Sequence, residues 1–184
     1  MPKTSIYTIG YGAREIGAFL AVLQTYQIQY LVDVRSSPYS SYKPEFSKNS
    51  FKTILEANGI RYLFMGDSLG GKPGNPDCYT GGKVDYAKLA RQPFFRTGID
   101  RLLKASQQEQ RVVVMCSEGK PEKCHRSKLI GQTLTQEGVE VLHIDEKDKA
   151  ITQKQVLLRL TGGQPSLFGD DFLTFTSRKR YKGE

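Results

Sequence analysis

Short apolar runs alternate with helical patterns along most of the chain. Residues 5–11 are rich in β-branched and aromatic side chains, and the next segment carries Ile16, Phe19 and Leu23 at the spacing of one helix face. This pair of patterns then recurs. The predicted strands are residues 5–11, 30–35, 60–65, 111–116 and 139–144, and the predicted helices are residues 14–26, 50–57, 85–107, 124–137 and 152–160.

Glycine and proline mark the ends of several of these segments. Gly59, Gly138 and the pair at 162–163 close three of the predicted helices, and Pro93 kinks or splits the long helical region. Strands that alternate with helices predict a single α/β domain over residues 1–161, an open Rossmann-like parallel sheet of about five strands with helices on both faces. Right-handed crossovers place the first and fourth strands near its centre. Residues 162–184 then form a C-terminal extension.

Composition narrows the class of protein. A chain of 184 residues with 38% hydrophobic and 25% charged residues is ordinary for a globular domain. There is no apolar stretch long enough to span a bilayer and no signal-type start, and three cysteines, an odd number, argue against a disulfide framework. We therefore expect a cytoplasmic protein without a membrane partner.

The charge balance suggests what the protein binds. Lys plus Arg number 27 against 19 for Asp plus Glu, which gives a net charge of +8. Such an excess favours anionic partners, namely nucleic acid or a phosphorylated ligand, although it can also serve only solubility. Part of it lies in the basic run at 178–182, which is equally typical of a solvated tail.

A thiol, a hydroxyl and a carboxylate stand together at the end of the valine-rich run 111–116. Cys116, Ser117 and Glu118 follow a strand that is buried on both faces, and ligands of open α/β sheets bind beyond the carboxyl ends of such strands. Cys116 is a candidate nucleophile and Glu118 a candidate general acid or base. Core packing is the alternative for Cys116, because unpaired cysteine is among the most buried residue types.

Two other strand ends carry polar residues. Asp33 and Arg35 share one face of the second strand, so the carboxylate can orient the guanidinium toward a phosphate; a purely structural ion pair is the alternative. The first strand ends in T-I-G-Y-G, whose glycines let the backbone approach a ligand or simply form a turn. It lacks the third glycine of a dinucleotide fingerprint, so no cofactor is expected.

The segment Cys124-His125-Arg126 opens the fourth predicted helix. The positive end of a helix macrodipole lowers the pKa of a thiol and disfavours a protonated imidazole. Zinc bound by Cys78, Cys116, Cys124 and His125 is disfavoured, since there is no C-x-x-C pair and adjacent helical residues diverge, so no metal is expected. The Gly/Pro-rich residues 66–84, which include Lys72, form a loop that can cover the site.

Several of these motifs occur together in one known family. They are T-I-G-Y-G at 8–12, V-D-V-R-S-S-P at 32–38, P-E-F at 44–46, G-I-R-Y at 59–62, L-G-G at 69–71, C-S-E at 116–118 and P-E-K-C-H-R at 121–126. The set resembles the domain-of-unknown-function family numbered 488 over about residues 5–146. The resemblance implies a compact α/β domain with polar motifs at one sheet edge and no established activity. Members often carry Ser-Arg after the D-V-R motif, where this chain has Ser40 and Ser41, so Lys43 or Lys72 must replace that arginine in an anion site.

The extension contains a second resemblance. Residues 164–168, Q-P-S-L-F, are similar to the short peptide by which bacterial replication and repair proteins bind the sliding clamp. The clamp is therefore a candidate partner, with Gln164, Leu167 and Phe168 as the binding residues. Alternatively, the two apolar side chains pack back on the domain.

Together these patterns predict an enzyme-like anion-binding crevice that acts on nucleic acid or a nucleotide-like substrate. One alternative is Cys-dependent sulfur or phosphoryl transfer of the rhodanese type, although no C-x-x-x-x-x-R loop follows Cys116. The other is a non-catalytic ligand- or DNA-binding module tethered to the clamp, so the sequence leaves open whether the protein is an enzyme. The candidate catalytic residues are Cys116, Glu118 and Asp33, and the candidate ligand-binding residues are Thr8, Gly10, Tyr11, Arg35, Ser36, Lys72, His125 and Arg126.

Overall fold

A computed structural model describes residues 3–164 and 175–181 of the chain. The strands are β1 (Ile6–Gly10), β2 (Tyr30–Asp33), β3 (Arg61–Phe64), β4 (Tyr79–Thr80), β5 (Lys83–Val84), β6 (Val112–Cys116), β7 (Val141–Ile144) and β8 (Ala150–Thr152). The α-helices are α1 (Ile16–Thr25), α2 (Lys48–Ala57), α3 (Gly66–Leu69), α4 (Tyr86–Ala90), α5 (Pro93–Gln107), α6 (Gln132–Gln136) and α7 (Gln153–Leu160). Within the described residues, Pro44–Phe46, Pro76–Cys78 and Pro121–Lys123 form 3-10 turns, and Arg126–Gly131 is a π-helix.

The main sheet has six strands in the order β3-β2-β6-β1-β7-β8. The first five are parallel, and they correspond to the five strands that the sequence predicts, with β1 and β6 central as expected. The Rossmann-like α/β prediction is therefore confirmed. The short strand β8 pairs antiparallel with β7 at one edge. It was not predicted, because three residues after a charged loop carry no periodic signal of their own.

Alternating side chains give the sheet two apolar cores. Val113 and Met115 of β6 pack with α1, α2 and an aromatic group on one face, whereas Val112, Val114 and Cys116 pack with α4, α5 and the π-helix on the other. The chain thus leaves β1 toward one face and leaves β6 toward the opposite face. In open α/β sheets such a reversal between neighbouring strands leaves a crevice at their carboxyl ends.

The long helical region at 85–107 and the loop before it are more structured than predicted. The region is divided into α4 and α5, with Pro93 as the first residue of α5, which confirms the predicted break. Residues 66–84, expected as a loop, contain α3, a 3-10 turn and the two-stranded hairpin of β4 and β5. No helix of the described residues combines the length and the apolar character that crossing a bilayer requires.

Part of the C-terminal extension returns to the domain. The Phe175 side chain packs against one apolar core, Thr176 forms an antiparallel bridge with Asp85, and the Ser177 amide donates to the Val84 carbonyl. Residues 175–181 therefore lie alongside β5, close to the carboxyl ends of the central strands. Within the predicted clamp peptide only Gln164 is described, in an exposed turn, and Leu167 and Phe168 lie outside the described residues.

Candidate functional site

A cavity of about 560 Å³ opens at the carboxyl ends of β1, β2 and β6. Loops after all three strands line it, together with Gly71 and Lys72 of the predicted covering loop and the returning C-terminal segment. Its walls carry the cationic residues Arg35, Lys72, Lys123, Arg178 and Lys179, whereas Glu118 is the only carboxylate among the described lining residues. The cavity is therefore electropositive and suited to an anion.

Two cysteines lie side by side at the floor of the cavity. Cys116 ends β6 and Cys124 precedes the π-helix, and their Sγ atoms are 2.6 Å apart. Each residue is 5% exposed, and both line the cavity. The Arg126 amide donates to Cys124 Sγ at 3.5 Å, and His125 Nδ1 lies 3.6 Å from the same sulfur. Cys124 thus has a hydrogen-bond donor that Cys116 lacks.

The imidazole of His125 is held in one orientation. Its Nε2 lies 3.1 Å from the Leu69 carbonyl oxygen, which can only accept, so Nε2 carries a proton and Nδ1 faces the Cys124 sulfur. Gly71 lies directly against the ring, since a Cβ at this position would be 2.8 Å from His125 Nδ1. The L-G-G motif therefore lets the covering loop pack against His125, the neighbour of Cys124.

The two thiols differ in acidity. Burial alone would raise the pKa of Cys124, but the hydrogen bond from Cys116 and the positive charge of Arg126 lower it to about 7. The pKa of Cys116 is raised well above its usual range, because its proton is shared with Cys124 and because it is buried. Of the two thiols, Cys124 is therefore the more acidic and ionises first. The nucleophile that the sequence places at Cys116 is better supplied by its neighbour.

Three of the four zinc ligands considered from sequence converge. The ligand atoms of Cys116, Cys124 and His125 lie within 4.8 Å of one another and could hold a metal ion. Cys78 is buried in an apolar core and is not part of this group. Tetrahedral zinc with Zn–S bonds of about 2.3 Å needs sulfurs about 3.8 Å apart. At 2.6 Å the two sulfurs are too close for that geometry without a side-chain movement.

Asp33 fixes Arg35 beside the cavity. Its carboxylate accepts from Arg35 Nε at 2.9 Å and Nη2 at 2.7 Å, and from the Tyr62 hydroxyl at 2.7 Å. Asp33 is completely buried and does not line the cavity, so it orients the arginine and does not contact a ligand. Arg35 lines the wall, 5.5 Å from the Tyr11 ring, and its Nη1 has no hydrogen-bond partner. That nitrogen is itself buried, so Arg35 contributes the positive charge of its guanidinium to the cavity from within the wall.

Three predicted ligand-binding residues serve the structure instead. The Thr8 hydroxyl bonds to His143 Nδ1 at 2.7 Å within the core. Arg126 is fully buried and donates to the carbonyl oxygens of Glu118 and Gly119, so it holds the loop after β6. Gly10 packs against the same loop, since a Cβ there would collide with the Glu118 carbonyl and with the Arg126 side chain. None of the three lines the cavity.

The remaining predicted residues lie at the cavity. Tyr11, Ser36, Lys72, His125 and Glu118 all line it. The Lys72 amide donates to Ser36 Oγ at 2.9 Å, which ties the covering loop to the loop after β2. The Glu118 carboxylate accepts from Arg178 Nη2 at 3.2 Å.

His143 is a core histidine. Its Nε2 lies 2.6 Å from Gln153 Oε1, and the Gln153 amide donates to the Ser127 carbonyl. Gln153 Oε1 is then an acceptor, so His143 carries its proton on Nε2 and accepts from Thr8 at Nδ1. Burial and the nearby Arg126 charge lower the pKa of His143 to about 3.

Several cavity residues were missed from sequence. Cys124 had a local signal, its place before a helix, but it was not chosen as the nucleophile. Arg178 and Lys179 had only the basic run at 178–182, and Tyr39 and Tyr181 had no signal. The contact between Arg178 and Glu118 spans 60 residues of chain. Only a three-dimensional fold brings such distant segments together.

Residues 15–132 match the model of a family described as a domain of unknown function, DUF488. The chain belongs to this family. The match extends from the residue before α1 to the first residue of α6, and it contains the cysteine pair, Arg35 and the covering loop. It excludes β7, β8 and the C-terminal segment that completes the cavity wall. No curated protein and no solved structure shows a significant match to the chain.

Proposed function

We propose that this protein is an enzyme that binds a phosphorylated, nucleotide-like substrate and attacks it with the Cys124 thiolate. The observation that carries the proposal is the Cys116–Cys124 pair at the floor of a cavity with cationic walls. A buried thiol with a pKa of about 7 is a nucleophile poised near neutral pH. A buried group with a shifted pKa in a cavity is a candidate functional residue, and cationic walls favour an anionic ligand.

Different side chains bind the anion, attack it and transfer a proton. Arg35, held by Asp33 in the cavity wall, attracts the anionic group through its positive charge, and Lys72 and Lys123 add to that charge. Cys124 Sγ forms a bond to the transferred phosphorus or sulfur atom as the bond from that atom to its leaving group breaks. Glu118, a carboxylate at the wall, can then deprotonate the acceptor of the second step.

This arrangement differs from the rhodanese-type alternative. Such domains hold the anion in a tight loop of backbone amides that runs from the cysteine to an arginine. Here the corresponding arginine, Arg126, is buried and its two terminal nitrogens are bonded to carbonyl oxygens. The anion is therefore bound by side chains from separate loops, namely Arg35, Lys72 and Lys123.

The proposal is tested by the rate of thiol alkylation. Iodoacetamide should modify Cys124 with a pH midpoint of about 7, faster than Cys78, and inorganic pyrophosphate or a nucleotide should slow the reaction. Replacing Cys116 by Ala removes a hydrogen bond to the thiolate and should raise the midpoint, whereas Cys116→Ser keeps a donor and should raise it less. Mass mapping of the labelled peptides assigns each site. A Cys124 that reacts only after denaturation, or that anions do not protect, contradicts the proposal.

A further inference from the structure

Three large hydrophobic side chains of the described residues are exposed, and two of them line the cavity. They are Tyr39 at 69%, Tyr42 at 97% and Tyr181 at 40% exposure. Tyr39 and Tyr181 line the mouth of the cavity, and Tyr42 follows three residues after Tyr39 in the same loop. A single exposed tyrosine needs no explanation, but grouping at a ligand cavity points to a binding surface.

Basic side chains line the cavity together with two of these rings. Lys72 Nζ lies 5.0 Å from the centroid of the Tyr181 ring, and Arg178 and Lys179 come from the same returning segment as Tyr181. Lys72 belongs to the covering loop, so two segments far apart in the sequence form one surface that is both aromatic and cationic. Rings that offer flat faces next to positive charges match a polyanion that also carries flat apolar groups.

We infer that the mouth of the cavity binds single-stranded nucleic acid, with bases stacked on Tyr39, Tyr42 and Tyr181 and phosphates beside Lys72, Arg178 and Lys179. This inference rests on the proposed function, because it places one phosphodiester of the strand above Cys124. A single strand is favoured over a duplex because unpaired bases are free to stack on protein rings, whereas paired bases already stack on one another. The net charge of +8 supports the long-range attraction.

The inference is tested by fluorescence anisotropy with the full-length chain. The probe is a labelled DNA strand of about 12 nucleotides, compared with the same strand in a duplex. The expected result is tighter binding of the single strand. Tyr39→Ala and Tyr42→Ala should each weaken it about tenfold, while Tyr39→Phe and Tyr42→Phe keep the ring and the affinity. Because these side chains are exposed, none of the variants should lower the melting temperature appreciably.

A charge variant and a second polyanion separate base stacking from simple charge attraction. Lys179→Ala should weaken strand and duplex alike and reduce the dependence of affinity on salt, which distinguishes phosphate contacts from stacking. Equal affinity for strand and duplex, retained affinity in the alanine variants of Tyr39 and Tyr42, or equally tight binding of polyglutamate would overturn the inference.

The two proposals fail in different ways. If a mononucleotide protects Cys124 from alkylation but the strand does not bind, the single-strand inference is overturned and the thiol site stands. If the strand binds through the tyrosines but Cys124 is inert, the inference on the ligand is supported and the proposed chemistry is overturned.

Discussion

Replacing Asp33 by Asn tests whether the arginine of the cavity wall depends on its buried partner. The side chain of Asp33 is 0% exposed and that of Arg35 is 5% exposed. Burial acts to lower the pKa of Arg35, but the hydrogen bonds and charge of Asp33 outweigh it and raise the pKa, so the guanidinium stays charged wherever the protein folds. Asn keeps the shape of the side chain and removes the negative charge that compensates this cation.

The expected cost follows from the contacts. The carboxylate accepts two bonds from the Arg35 side chain and one from Tyr62. Removing one partner of a buried ion pair costs about 3 to 5 kcal/mol, because the other charge is left uncompensated. We expect Asp33→Asn to lower the free energy of unfolding by this amount. The pyrophosphate protection of Cys124 should also weaken, since Arg35 loses its fixed orientation.

Asp148 provides a matched control. It pairs with Arg14 at 2.8 Å, but its side chain is 55% exposed, and such a pair contributes about 0 to 1 kcal/mol. Asn also tolerates the left-handed backbone of this position, with φ of 60°. Urea unfolding of both variants at neutral pH gives the comparison. If Asp33→Asn costs no more than Asp148→Asn, the buried pair does not have the role assigned to it.

Substitutions at His143, at Gly10 and in the clamp-like peptide test three other assignments. The folded-state pKa of His143 lies below its ordinary value of 6.5, so the unfolded chain takes up the proton first as pH falls. Stability present above that pH is then lost, by about 2 kcal/mol at pH 5, and urea unfolding should show this loss in the native chain but not in His143→Gln. Gly10→Ala should lower the melting temperature because its Cβ meets the backbone of the loop after β6, whereas Gly17→Ala in α1 meets nothing and should not. Replacing Leu167 and Phe168 by Ala should abolish calorimetric binding to a bacterial sliding clamp and leave the melting curve unchanged; a large loss of stability without clamp binding by the native chain would show that they pack on the domain.

The strands were predictable because their signal is local. Runs such as 112–116 are buried on both faces, so apolar, β-branched residues follow one another without interruption. The carboxyl ends of these strands, and therefore the position of the crevice, follow from the parallel order. For the same reason Arg35, Cys116 and Glu118 could be placed near one another from sequence alone.

The direction of each side chain at a strand end could not be predicted in this way. Arg126 and Lys123 are three residues apart, yet Arg126 is buried against backbone carbonyls and Lys123 lines the cavity. Which of them faces a ligand depends on the acceptors that the loop after β6 presents. These carbonyl oxygens belong to Glu118 and Gly119, which are held in place against Gly10 and Gly12 after β1.

By itself, then, the amino-acid sequence determined the α/β class, the central strands and the edge of the sheet where polar residues collect, since burial and periodicity act over a few neighbouring residues. Only the tertiary structure decided that Cys124 is the more acidic of the two paired thiols and that residues 175–181 complete the cavity wall. The first depends on the proton shared by two sulfurs, and the second on contacts between segments far apart in the chain. Neither can be predicted from a local sequence pattern.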